Sequence, residues 1–115
     1  MLSLLAFNTG VTEAAFTHSP ESATAYLGDQ AIFTCITDGS HLLVWTINGV
    51  EARFPEVRNK GIRYVHSGAN AEMSNLTALA SLQNNNSEII CIQQNVITGE
   101  ELARTAPVYL YVQGI

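Results

Sequence analysis

The chain has 115 residues, 47% of them hydrophobic and only 13% charged, with a formal net charge of −5. That is enough for one domain burying roughly two-thirds of its unfolded surface, and too apolar and too weakly charged for a disordered segment. Five basic residues against ten acidic ones make nucleic acid an unexpected partner, because phosphate binding relies on clustered Lys and Arg.

The N-terminal MLSLLAF is apolar but seven residues long and lacks a basic flank, so it is too short to cross a bilayer. Residues 1–15 read as a tail or a signal-peptide remnant, and residues 16–115 as the domain. Any membrane anchor lies outside this chain. Ser22 to Leu27 leads into a Gly28-Asp29 turn. Ala31 to Ile36 then alternates, with Ala31, Phe33 and Cys35 on one face. After the loop Asp38-Gly39-Ser40, Leu42 to Ile47 forms a strand centred on Trp45. Asn48-Gly49 closes it as a hairpin turn, since both residues tolerate positive φ. Val50 to Val57 and Ile62 to Val65 are shorter strand-like runs, and Leu76 to Leu82 is a clearer one. Asn84-Asn85-Asn86 turns the chain into SEIICIQQ, whose four consecutive apolar residues, Ile89 to Ile92, ask for cover on both faces of a strand. Thr98 to Glu101 is a second hairpin loop, and Pro107 to Gln113 a last strand. Short runs punctuated by Gly, Asn, Asp and Ser, with no amphipathic helix, describe an all-β sandwich or barrel.

Two cysteines, Cys35 and Cys91, match no zinc or haem spacing. They are either two buried thiols or one long-range disulfide. Their position inside strand-like runs favours the disulfide, which implies an oxidising compartment. The sequons Asn75-Leu76-Thr77 and Asn85-Asn86-Ser87 point the same way, to an extracellular glycoprotein, secreted or displayed on a cell surface.

Cys35, Trp45 ten residues later, Leu76-x-Ala78, Cys91 and the closing VYLYVQG together resemble the immunoglobulin superfamily, over roughly residues 20–114. The 55 residues between the cysteines look like an intermediate (I-type) or compact variable-like domain. The resemblance implies a two-sheet antiparallel sandwich pinned by a Cys35–Cys91 bridge, with Trp45, Phe33, Leu76, Ile89 and Leu110 in the core. It also implies that the strands holding Trp45, Cys91 and Tyr109 are neighbours. Two departures stand out: Ile89 occupies the place of the family's usual corner tyrosine, and Asn85 that of its usual aspartate.

Strand parity on that frame puts Val44, Ile90, Ile92, Tyr109 and Tyr111 on one outer sheet face, an apolar and aromatic patch suited to a protein partner. Ordinary β propensity would select the same residues with nothing bound. Loop residues Asp38, Ser40 and His41 at one end, with Glu100 and Glu101 beside them, are candidate ligand contacts. The first three lie too close in one loop to hold a catalytic triad, and Asp-Gly-Ser is ordinary turn chemistry. His18 and His66 show no metal spacing, and no cofactor motif appears. The basic segment Arg53, Arg58, Lys60 and Arg63 reads as a solvated edge, with a polyanionic glycan as the alternative. Expected overall is a non-enzymatic recognition or adhesion module binding another protein, either a second copy or another immunoglobulin-like domain. The alternatives are a passive spacer in a tandem array and, behind it, a glycan-binding sandwich using Gln93 and Gln94 beside Tyr109.

Overall fold

A computed structural model describes residues 15–38 and 41–115 of the chain. Nine strands are present among the described residues: β1 (Ala23–Tyr26), β2 (Gln30–Ile36), β3 (Leu42–Ile47), β4 (Val50–Glu51), β5 (Ile62–Ser67), β6 (Met73–Leu79), β7 (Ser87–Gln94), β8 (Glu101–Arg104) and β9 (Val108–Gln113). One sheet runs β1-β9-β7-β3-β4, with β8 also paired to β7, and the other runs β2-β6-β5. Residues 1–14, and Gly39 and Ser40, lie outside the described residues, so the tail assignment and Ser40 are not placed.

Alternation builds the core. Ala31, Phe33 and Cys35 on β2 face Leu43, Trp45 and Ile47 on β3 and Ile89 and Cys91 on β7, with Leu76 and Leu110 closing the interior. All five predicted core side chains are at most 1% exposed. The predicted cystine is formed between β2 and β7. Beside it a hydrogen bond runs in parallel: Trp45, opposite Cys91 in its ladder, donates its indole N–H to Ser74 Oγ at 2.8 Å, and Ser74 lies opposite Cys35. Two residues further along, Gln93 Nε2 donates to Thr37 Oγ1, again from β7 across to the end of β2. One covalent and two polar links therefore join the sheets in adjacent layers.

The Asn48-Gly49 turn has φ of 52° and 84°, the doubly positive geometry whose twist suits a two-residue hairpin. Other boundaries differ from the sequence reading. Val50 to Val57 is not one strand: Pro55 opens a one-turn helix, α1 (Pro55–Arg58), which tucks Val57 into the core. Proline suits that first helical position, where its missing N–H is no loss. The Leu76–Leu82 strand is instead Met73–Leu79, because the outward–inward alternation begins three residues earlier and a 3₁₀ turn takes Leu82–Asn84. The last strand is in two parts. Ile92 pairs with Arg104, whereas Ile89 pairs with Val108, so four steps on one side match three on the other. One extra residue bulges out before Pro107, and Thr105 Oγ1 accepts the buried Cys91 N–H at 3.1 Å.

The three asparagines of the β6–β7 corner do separate jobs. Asn84, fully buried, donates through Nδ2 to Leu79 O at 2.8 Å and Lys60 O at 2.9 Å. Asn85 Oδ1 accepts the Val112 N–H at 2.8 Å. Asn86 takes φ of 64° and donates its N–H to Leu110 O. Asn84→Ala is therefore expected to cost about 2–3 kcal/mol, from two lost bonds and two stranded carbonyls, measured by urea denaturation. A loss under about 0.5 kcal/mol, the range of ordinary surface changes, would contradict this role for the corner.

His66 points inward from the edge strand β5, its ring 5.2 Å from that of Tyr64. Burial holds its imidazole below the ordinary value of 6.5. The unfolded chain then takes up this proton at a higher pH than the folded one. Stability from this site is complete above pH 6.5 and declines as pH falls below it. Denaturation midpoints measured from about pH 7 to pH 5 should fall in the wild type and flatten in His66→Phe.

Candidate recognition surface

Register fixes what faces outward on the six-stranded sheet. Val44 lies opposite Ile92, Thr46 opposite Ile90, and Arg104 opposite Ile92 on the other side. Tyr109 and Tyr111 project from β9 with ring centroids 6.2 Å apart. The predicted parity holds: Ile90 and Ile92 take no part in the core between the sheets. Their accessibility does not match the expectation. They are 8% and 6% exposed, because β7 is a central strand whose outward side chains are flanked by Val44 and Thr46 on one side and, beside Ile92, by Arg104 on the other. The isoleucines are the floor of the face rather than its contact surface.

The accessible apolar area is displaced to the rim. Leu42, Leu102 and Tyr111 are the large exposed hydrophobics here, with Val44 and Tyr109 half-buried between them. Leu102 escaped the sequence reading because no strand was expected between the Thr98–Glu101 loop and Pro107, whereas β8 occupies that stretch and a bulge leaves Leu102 between its Gln94–Glu101 and Gln93–Ala103 pairs. Arg104 makes a two-pronged ion pair with Glu101, 2.7 Å on each side. Those hydrogen bonds hold the Glu101 carboxyl below its usual range and push the guanidinium up. Of the two predicted acidic contacts, Glu101 is thus engaged by its own chain, whereas Glu100 is solvent-exposed.

The β7–β8 loop is a built structure. Asn95 Oδ1 accepts the N–H groups of Ile97 and Thr98, and Asn95 N–H and C=O bond Glu100 O and Gly99 N–H. Its tip presents Val96 and Ile97, the latter 89% exposed. These two residues were missed because a turn was assigned by its Gly and Glu, with no reason to expect apolar residues at its apex. At the same end, His41 Nδ1 and Asp38 Oδ1 are 3.1 Å apart.

Gln93 is buried, facing inward, so it does not join Tyr109 in a carbohydrate-binding platform. In the basic segment Arg53 pairs with Glu51 and lies over the Phe54 ring, while Arg58 and Arg63 line an open cleft of about 600 Å³ with Asn59 and Tyr64. Asn75 lies on β6, on the outer face of the three-stranded sheet, and Asn85 in the β6–β7 corner. Among the described residues no helix is long and apolar enough to cross a membrane.

No protein-family model and no curated protein matches the chain. Solved structures do. The first domain of Duf (Kirre) superposes with a TM-score of 0.61 at 18% identity, covering 84% of this chain and 93% of that one. The titin domains Z1Z2, solved in complex with telethonin, give 0.64 at 17%, covering 85% and 46%. Rst D1-D2 gives 0.62 at 18%, covering 84% and 47%. This chain thus spans about half the length of those tandem structures and nearly all of the single-domain one. Together with the two sheets, the cystine and the Trp45 layer, these likenesses make the chain an immunoglobulin-like β-sandwich domain. A disulfide at its centre is the chemistry of an oxidising compartment.

Proposed function

We propose that this domain is a non-catalytic recognition module of an extracellular protein, secreted or displayed on a cell surface. It binds another protein, itself an immunoglobulin-like domain, through the outer face of the six-stranded sheet and the β7–β8 loop. The observation that carries this reading is the arrangement of Leu42, Leu102 and Tyr111 around the closed Ile90–Ile92 floor. The Arg104–Glu101 pair lies at the margin. Aromatic residues and arginine are enriched at protein interfaces, and tyrosine is suited to anchor one, offering large area with few rotamers to freeze. The preorganised loop tip adds Val96 and Ile97 at small entropic cost.

The experiment is a binding screen of the glycosylated domain against extracellular ectodomains, its own copies included. Whichever partner is found, Leu42→Ser with Tyr111→Ser should weaken binding by at least about 30-fold, the scale of a lost hot spot. Stability should change little, since both residues are exposed. A screen that finds only end-to-end neighbours, with affinities indifferent to these substitutions, would favour the spacer reading.

A further inference from the structure

The outer face of the three-stranded sheet carries two exposed β-branched residues, Ile32 and Val65, at 65% and 64%. In the ladder, Asn75 lies between Val65 on one side and Thr34 on the other; in the next layer Thr77 lies between Arg63 and Ile32. Asn75 and Thr77 are the acceptor and hydroxyl positions of an Asn-x-Thr sequon, and both point outward from β6. Thr34 Oγ1 donates to Asn75 Oδ1 at 2.7 Å. The carboxamide is thereby held by its oxygen, and no described residue accepts a bond from its nitrogen, the atom that sugar transfer modifies.

We propose that Asn75 carries an N-linked glycan whose first sugar lies over Val65 and Ile32, sealing this sheet face. Transfer from a lipid-pyrophosphate-linked oligosaccharide forms the C1–Nδ2 bond, breaks the C1–O bond to the pyrophosphate, and releases one amide proton. The Thr34 bond then fixes the stem's exit direction, and the sugar's apolar face meets two aliphatic side chains that otherwise stand in water. Asn85 is placed differently: its carboxamide holds the Val112 N–H in the corner, so its separate variant serves as the internal comparison.

The test is expression of the 115-residue chain behind a signal peptide in eukaryotic cells restricted to high-mannose glycans. Intact mass and peptide mapping then read occupancy in wild type, Thr77→Ala and Asn85→Gln. The wild type should be modified at Asn75 and Thr77→Ala should lose that modification while leaving Asn75 itself in place. Trimming enzymatically to a single N-acetylglucosamine should leave hydrophobic-dye binding and self-association unchanged. Complete removal should raise both severalfold, and Ile32→Ser with Val65→Ser should abolish the rise. An unmodified Asn75 in the folded secreted protein would overturn the proposal. So would complete removal with no change in dye binding or association.

Discussion

Replacing Cys35 and Cys91 with alanine is expected to lower the unfolding free energy by about 4 kcal/mol, within the range of about 2–5 kcal/mol seen on removing a native disulfide from a small secreted domain. The bridge spans 56 residues of sequence. Its main effect is on the unfolded chain, which loses loop freedom it would otherwise have. For a domain of this size such a change lowers the melting temperature by about 15 °C or more. Denaturation of the double variant against oxidised wild type reads the effect. A loss below about 1 kcal/mol would mean that the unfolded chain retains enough structure to make the cross-link redundant.

Trp45→Ala comes next, with an expected cost of about 3–5 kcal/mol from the lost ring and the space it leaves. Trp45 is 1% exposed and packed within the central core, and its indole N–H is held by Ser74, itself fully buried. Trp45→Phe separates the two contributions. It keeps most of the apolar contact but strands the Ser74 hydroxyl, for a cost of about 1–3 kcal/mol. The indole–Ser74 bond and the cystine bridge neighbouring positions of the same four strands. Trp45→Phe and the cysteine variants should therefore be non-additive by about 0.5–3 kcal/mol in a double-mutant cycle, as residues sharing one network are. Strict additivity would show that the two links act independently.

The core was readable from the sequence because its signal is short-range and redundant. Alternation in AIFTCI and LLVWTI fixes which side chains meet, and Asn48-Gly49 fixes the register between two strands. Three features were not readable, each for a physical reason. Pro55 both ends an extended run and starts a helix, and the residues around it do not separate the two. The bulges at Leu102 and before Pro107 break the period-two rule on which every outward assignment rests. Burial of Ile90 and Ile92 depends on their lying in a central strand with partners on both sides, which parity does not report. The corner is instructive in another way. The usual tyrosine and aspartate are absent, and Asn84, Asn85 and Asn86 bond the corner from three consecutive positions. Only the topology, which brings Lys60, Leu79, Leu110 and Val112 to that corner, reveals these bonds.

Surface plasmon resonance with the partner recovered from the ectodomain screen tests the central claim most directly, using two variants of matched stability. Leu42→Ser with Tyr111→Ser should weaken binding at least about 30-fold, while Ile32→Ser with Val65→Ser, on the opposite sheet, should leave it within about twofold. Equal affinities for both variants, or a loss confined to the second, would contradict recognition through the six-stranded face.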